Sequence, residues 1–99
     1  GKIMKDSEML LKGANFLKKH HWVRGARYAT MNGIPTDMGS ACRFCALGAI
    51  DKACDLAPFS AKFTMRGNLV NFNDYYAKNK MEVVEYMIKM AKELKAKGN

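Results

Sequence analysis

Three cysteines and two histidines, Cys42, Cys45, Cys54, His20 and His21, are the residues of this chain most able to do chemistry. Zinc takes four nitrogen or sulfur ligands in a tetrahedron, and three thiolates with one imidazole form an accepted set. The spacing argues against it. A Cys-x-x-Cys knuckle belongs in a turn, whereas Cys42 and Cys45 fall on an expected helix. Cys54 follows Cys45 nine residues later on that helix, about 13.5 Å along its axis at 1.5 Å per residue. Small buried thiols packing like alanine are the expectation, with no metal and no cofactor. A second chemistry is nucleophilic: Cys45, or Cys42, near a helix start would have its thiol pKa lowered. His20 or His21 would then serve as base and Asp74 or Asn73 as orienter. Cys45-Ala46-Leu47-Gly48-Ala49 is equally what tight helix packing requires, so a cysteine-dependent enzyme ranks last among the readings.

A binding surface ranks higher. Trp22 lies between His21 and Arg24, with Arg27-Tyr28 following, and this interleaving of rings and cations suits both partner anchoring and phosphate contact. The bland alternative makes Trp22 a core residue with Tyr28 half-buried beside it. Seventeen cations against nine anions give a net charge of +8. The excess gathers at the amino-terminal end, in Lys2, Lys5, Lys12, Lys18, Lys19, Arg24 and Arg27. Thirteen of the seventeen cations are lysine, so part of this charge simply solvates helices. The candidate binding residues are Lys18, Lys19, His21, Trp22, Arg24, Arg27 and Tyr28. No zinc finger, aromatic ribonucleoprotein motif or Gly-x-x-Gly clamp is present. Phe72-Asn73-Asp74 and Asn71 are turn and cap formers, and the eight methionines are core filler or an adaptable surface.

Three helices are expected to position these groups. Asp6-Ser7 can cap the first, about Ser7 to Lys19, with Leu10, Ala14 and Leu17 facing the core and Gly13 weakening it. Periodicity fails from His20 to Gly39, where an ordered loop pinned by Trp22 is expected, with a short hairpin at Asn32-Gly33. Ser40 can cap a second helix, about Ala41 to Leu56, stopped before Pro58. Its face Cys42, Cys45, Ala46, Ala49, Ala53 is small throughout and adjoins Gly48, so another backbone can approach closely. Pro58 to Asn79 is expected to be irregular, with a short helix or strand near Leu69 to Phe72. Asn79-x-x-Glu82 resembles a capping box opening the third helix, about Lys80 to Lys97, whose apolar row is Met81, Val84, Ile88 and Ala91. The expected fold class is all-α, a compact bundle of about three main helices with irregular, loop-rich connections.

Ninety-nine residues with 48% hydrophobic and 26% charged content suit one globular domain, residues 1–99, with 1–5 expected to be disordered or tag-derived. No apolar run reaches the roughly 18 residues of a spanning helix. An odd cysteine count and the lack of a secretory pattern favour a reducing, cytoplasmic setting.

Trp22-x-x-Gly25, Cys45-Ala46-Leu47-Gly48-Ala49-Ile50 and Phe72-Asn73-Asp74 before a terminal amphipathic helix together resemble a family of unknown function. Its members are small helical proteins met in bacteriophage genomes and actinobacteria. The resemblance covers about Leu10 to Leu94. It donates no catalytic residues; it implies an all-α fold and a phage or prophage origin, hence a host-cell cytoplasm. His20-His21 precede Trp22 where a glycine is usual, and the segment from Ala57 to Asn68 has no counterpart. The resulting expectation is a small, basic, non-enzymatic binding protein, monomeric or homodimeric, whose partner is a host or defence-system protein. The alternative is a binder of nucleic acid or of a phosphorylated or nucleotide ligand through the same Lys12 to Arg27 surface.

Overall fold

Helix formation follows the strongest periodicities in the chain. The computed structural model describes residues 4–61 and 65–99. Helix α1 spans Asp6–Lys19, opened by Glu8, whose carboxylate accepts from the Lys5 amide at 2.9 Å. It buries Leu10, Ala14 and Leu17, as its spacing requires, together with Ser7 and Gly13. Gly13 is the reason the helix can sit where it does. A side chain there would begin 2.6 Å from Ile50 Cγ1 and 3.0 Å from Met87 Cε, so its absence admits two other helices at one point.

Those helices are α2, Ala46–Ala53, and α4, Lys80–Ala96. Asn79 caps α4 by accepting from the Glu82 amide at 3.0 Å, while Glu82 reaches back to the Lys78 amide at 2.8 Å. The core face of α4 is Val83, Val84, Met87 and Ala91; Met81, expected in the apolar row, is 46% exposed. Between α2 and α4 lie α3, Met65–Asn71, and a π-helical turn, Phe72–Tyr76. Of the two forms expected near Leu69 to Phe72 the structure has the helix, longer than expected at both ends, while residues 62–64 of the segment expected to be irregular lie outside the described residues. Of residues 1–5, 1–3 lie outside the described residues, and Met4 packs at the edge of the core.

The expectation of an all-α bundle is overturned by a three-stranded mixed sheet beside the helices. Strands β1, His21–Trp22, β2, Tyr28–Ala29, and β3, Arg43–Phe44, run in the order β1-β3-β2. The last strand in sequence lies in the middle, parallel to β1 and antiparallel to β2. Each strand has two residues, too short to display the alternation that marks a strand in sequence. The expected second helix is shortened accordingly. Arg43 and Phe44 leave it for the sheet, and Cys45, not Ser40, is the residue before its first turn. The three cysteines therefore do not share one helix: Cys42 is exposed ahead of β3, and Cys45 and Cys54 flank α2.

The expected close approach to the small-residue face does occur, but by a loop. A Cβ on Gly48 would stand 2.1 Å from the Arg27 carbonyl oxygen, so the backbone entering β2 presses directly on α2. The expected turn at Asn32-Gly33 is also present. The Gly33 amide donates to the Thr30 carbonyl at 2.9 Å, and the Thr30 amide donates to the Ile34 carbonyl at 2.8 Å. This folds residues 34–36 back along the outer edge of β2. Among the described residues no helix is long and apolar enough to cross a membrane.

Candidate functional site

Two buried polar side chains hold the loop from Trp22 to Tyr28 in place. Asp51 on α2 has no exposed surface. Its Oδ2 accepts from Arg27 Nε at 2.8 Å, from the Tyr28 hydroxyl and from the Phe59 amide at 3.1 Å. Its Oδ1 accepts from the Ala61 amide at 2.7 Å. Arg27 also donates to the Ala61 carbonyl at 2.6 Å, and its guanidinium lies under the Phe59 ring, 5.2 Å from the centroid. A buried carboxylate is tolerable only with such complete pairing. The strap of residues 55–61 is thereby fastened to α2, with Asp55 and Phe59 in the left-handed region at φ 55° and 61°. Burial pulls the Arg27 pKa down, but the hydrogen bond and charge of Asp51 outweigh it and raise the pKa. Burial, reinforced by the bond to Asp51, pushes the Tyr28 phenol up to about 12.

The second group is Asn73, in the π-helical turn and 1% exposed. Its Oδ1 accepts from Trp22 Nε1 at 2.7 Å and from the Ala46 amide at 3.0 Å, and its Nδ2 donates to the Val23 carbonyl at 3.2 Å. Asp74 adds a bond from the Gly25 amide at 2.9 Å. Asn73 and Asp74 are thus tie-points between the far end of the chain and the loop bearing Trp22.

The surface opens into a groove of about 350 Å³ lined by Trp22, Val23, Arg24, Met31, Asn32, Gly33 and Arg43. Arg43, on the central strand, donates from Nε to the Met31 carbonyl at 2.7 Å and from Nη1 to the Trp22 carbonyl at 3.1 Å, spanning both walls. Arg24 lies 5.3 Å over the Trp22 ring and donates to the Ala77 carbonyl. Met31 and Ile34, on the turn beside the groove, are 45% and 60% exposed.

Of the candidate binding residues, Trp22 and Arg24 line this groove. Lys18, Lys19 and His21 are exposed on the adjoining end of α1 and on β1. Arg27 and Tyr28 point instead into the Asp51 cluster, and Tyr28 is 1% exposed. Arg43, Met31 and Ile34 are not among the expected residues, because Arg43 falls within the span of the expected second helix and the turn carries no binding signal of its own. Nor is Asp51, whose signal is a carboxylate immediately after the apolar run Ala46 to Ile50.

Cys45 borders a separate cavity of about 180 Å³ with Arg27, Leu47, Phe59, Val70 and Asp74 among its walls. Its thiol accepts from the Gly48 amide at 3.4 Å, yet burial pushes its pKa up, against the depression expected from the helix start. Neither histidine supplies the expected base: His20 stacks on Phe16 at 3.7 Å and bonds the Phe16 carbonyl, and His21 is exposed on β1. Cys54 is likewise raised by burial. Among the described residues no group of three or more His, Cys, Asp or Glu is placed to hold a metal.

The model of a family of unknown function, DUF6197, matches residues 4–62. The chain belongs to that family. The DUF6197 match takes in α1, the sheet, α2 and the strap, with Trp22, Arg24, Arg43 and the whole Asp51 cluster inside it. It does not reach Phe72-Asn73-Asp74 or α4. No curated protein and no solved structure matches the chain.

Proposed function

We propose that this DUF6197 protein is a small non-enzymatic binding protein that engages another protein through the groove of Trp22, Arg24 and Arg43 and the apolar residues beside it. The observation that carries the reading is the exposure of Met31 and Ile34 at a groove containing tryptophan and arginine. Tryptophan and arginine are the residue types that dominate binding energy at protein interfaces, and apolar neighbours exclude water around them. The exposed Lys18 and Lys19 supply charge that steers an acidic partner. The raised thiol pKa of Cys45, and the pairing of its sulfur with the Gly48 amide and of His20 with the Phe16 carbonyl, weigh against catalysis. With the phage origin that the sequence resemblance implies, the partner is a host protein, met in the host cytoplasm.

One observation favours the nucleic-acid reading. Tyr75 and Tyr76 are 77% and 70% exposed, with the exposed Lys78 following them, and free rings with cations suit base stacking.

The deciding experiment is capture from a bacterial lysate, with and without nuclease treatment, using the wild-type chain and Ile34→Asp, the melting temperature of both being measured. A stoichiometric protein retained by the wild type and lost with Ile34→Asp at unchanged melting temperature supports the reading. Equal retention by both refutes the surface. Recovery of nuclease-sensitive material alone transfers the assignment to Tyr75 and Tyr76.

A further inference from the structure

Resting on the protein-binding reading, we propose that the groove receives a side-chain carboxylate from an acidic segment of the partner, gripped between Arg24 and Arg43 beside Trp22. A guanidinium has five N–H donors. Arg43 commits two of its donors to the Met31 and Trp22 carbonyls and Arg24 commits one to the Ala77 carbonyl, so both keep donors free for an anion. Among the described residues no carboxylate lines the groove to consume them.

Both guanidiniums are already held by backbone carbonyls, and Arg24 rests on an aromatic face, so little side-chain freedom remains to be lost on binding. The chain as a whole carries +8, which favours the approach of an acidic partner.

The same groove is poorly made for a phosphodiester. Phosphate sites commonly add backbone amides to their cations. Here two amides of the turn are already paired internally: Gly33 donates to the Thr30 carbonyl and Ile34 to Thr30 Oγ1 at 3.2 Å. The Val23 amide donates to the Phe44 carbonyl at 3.1 Å. The cations the groove offers an anion are two planar forks, a geometry that matches a carboxylate two bonds at a time. The exposed Met31 and Ile34 beside the groove then suit an aliphatic residue adjacent to the acid.

Trp22, the single tryptophan, reports on the site directly. Its fluorescence is to be titrated with a blocked peptide of leucine flanked by glutamates, with the same peptide carrying glutamines, and with an oligothymidylate. A saturable change with the glutamate peptide alone is expected. It should weaken by about tenfold or more in Arg43→Ala and in Arg24→Ala, as loss of a charge-assisted pair implies. Arg43→Lys, which keeps the charge and loses the fork, should recover only part of the affinity, and circular dichroism of each variant confirms folding. An equal response to the glutamine peptide, a response to the oligothymidylate alone, no saturable response at all, or an unchanged titration in both alanine variants overturns the proposal. A failed titration beside a capture still abolished by Ile34→Asp removes the carboxylate anchor and leaves the protein-binding reading standing. A successful titration beside a capture indifferent to Ile34→Asp removes the wider surface instead.

Discussion

Arg24, which lies over the Trp22 ring, and Arg27, next to Tyr28, stand three residues apart and meet opposite surroundings. Arg27 and Tyr28 turn inward onto Asp51, where four donors converge on one fully buried carboxylate. Arg24 and Trp22 remain at the surface, bonded to a backbone carbonyl and to Asn73 while the rest of each side chain faces a groove. The difference lies in the partner. A buried charge must be matched by an opposite charge, which fixes Arg27 completely, whereas neutral carbonyls orient Arg24 and Arg43 without cancelling their charge. One pair is spent on the fold and the other is left available to a ligand.

Removing Asp51 tests the first half of that contrast most severely. Asp51→Ala strands Arg27 and leaves the strap amides unpaired, and should cost about 3–5 kcal/mol in urea unfolding. A loss under about 1 kcal/mol would mean that the cluster is not what holds the strap. Alkaline pH attacks the same cluster through Tyr28. Its phenol has a folded pKa of about 12 against an ordinary 10.0, so the fold prefers the protonated form. That stabilisation is complete below pH 10 and is lost as pH rises towards 12. Two units correspond to about 2–3 kcal/mol. Unfolding free energy measured across that range should fall more steeply for the wild type than for Tyr28→Phe; parallel curves would break the assignment. The smallest effect belongs to the groove. Arg43→Ala should change stability by about 1 kcal/mol or less in the same urea assay, because water can replace it at its two carbonyls. A loss comparable with that of Asp51→Ala would make Arg43 a second structural arginine and erase the distinction.

The sequence makes the two long helices legible. α1 and α4 carry sustained apolar spacing and flanking acids or asparagine, and their observed bounds differ from the expected ones by a single residue at one end. The phase of α4 is less legible: Met81 belongs to the row by spacing but is exposed, while Val83 and Met87 are buried along with Val84 and Ala91 of that row. The sheet is not legible, because two-residue strands are made by partners far along the chain and not by local preference. Nor does residue type separate Arg24 from Arg27. That distinction depends on Asp51, 24 residues away from Arg27, and on the strap that brings Ala61 to the same point. The thiol argument fails for a related reason: proximity to a helix start lowers a pKa only where water or charge can stabilise the thiolate, and Cys45 is buried.

The strand order also sets a sequence of events during synthesis. β1 and β2 are made before β3, and neither can pair with the other, because β3 must lie between them. As the chain leaves the ribosome, the outer edge of β2 can close early against residues 34–36, a local contact. The inner edges of both strands stay open until Phe44 has emerged, since the Val23 amide waits for its carbonyl. Parallel pairing across such a loop is slow relative to helix growth. The sheet that carries the groove therefore cannot be complete until Phe44 has been made.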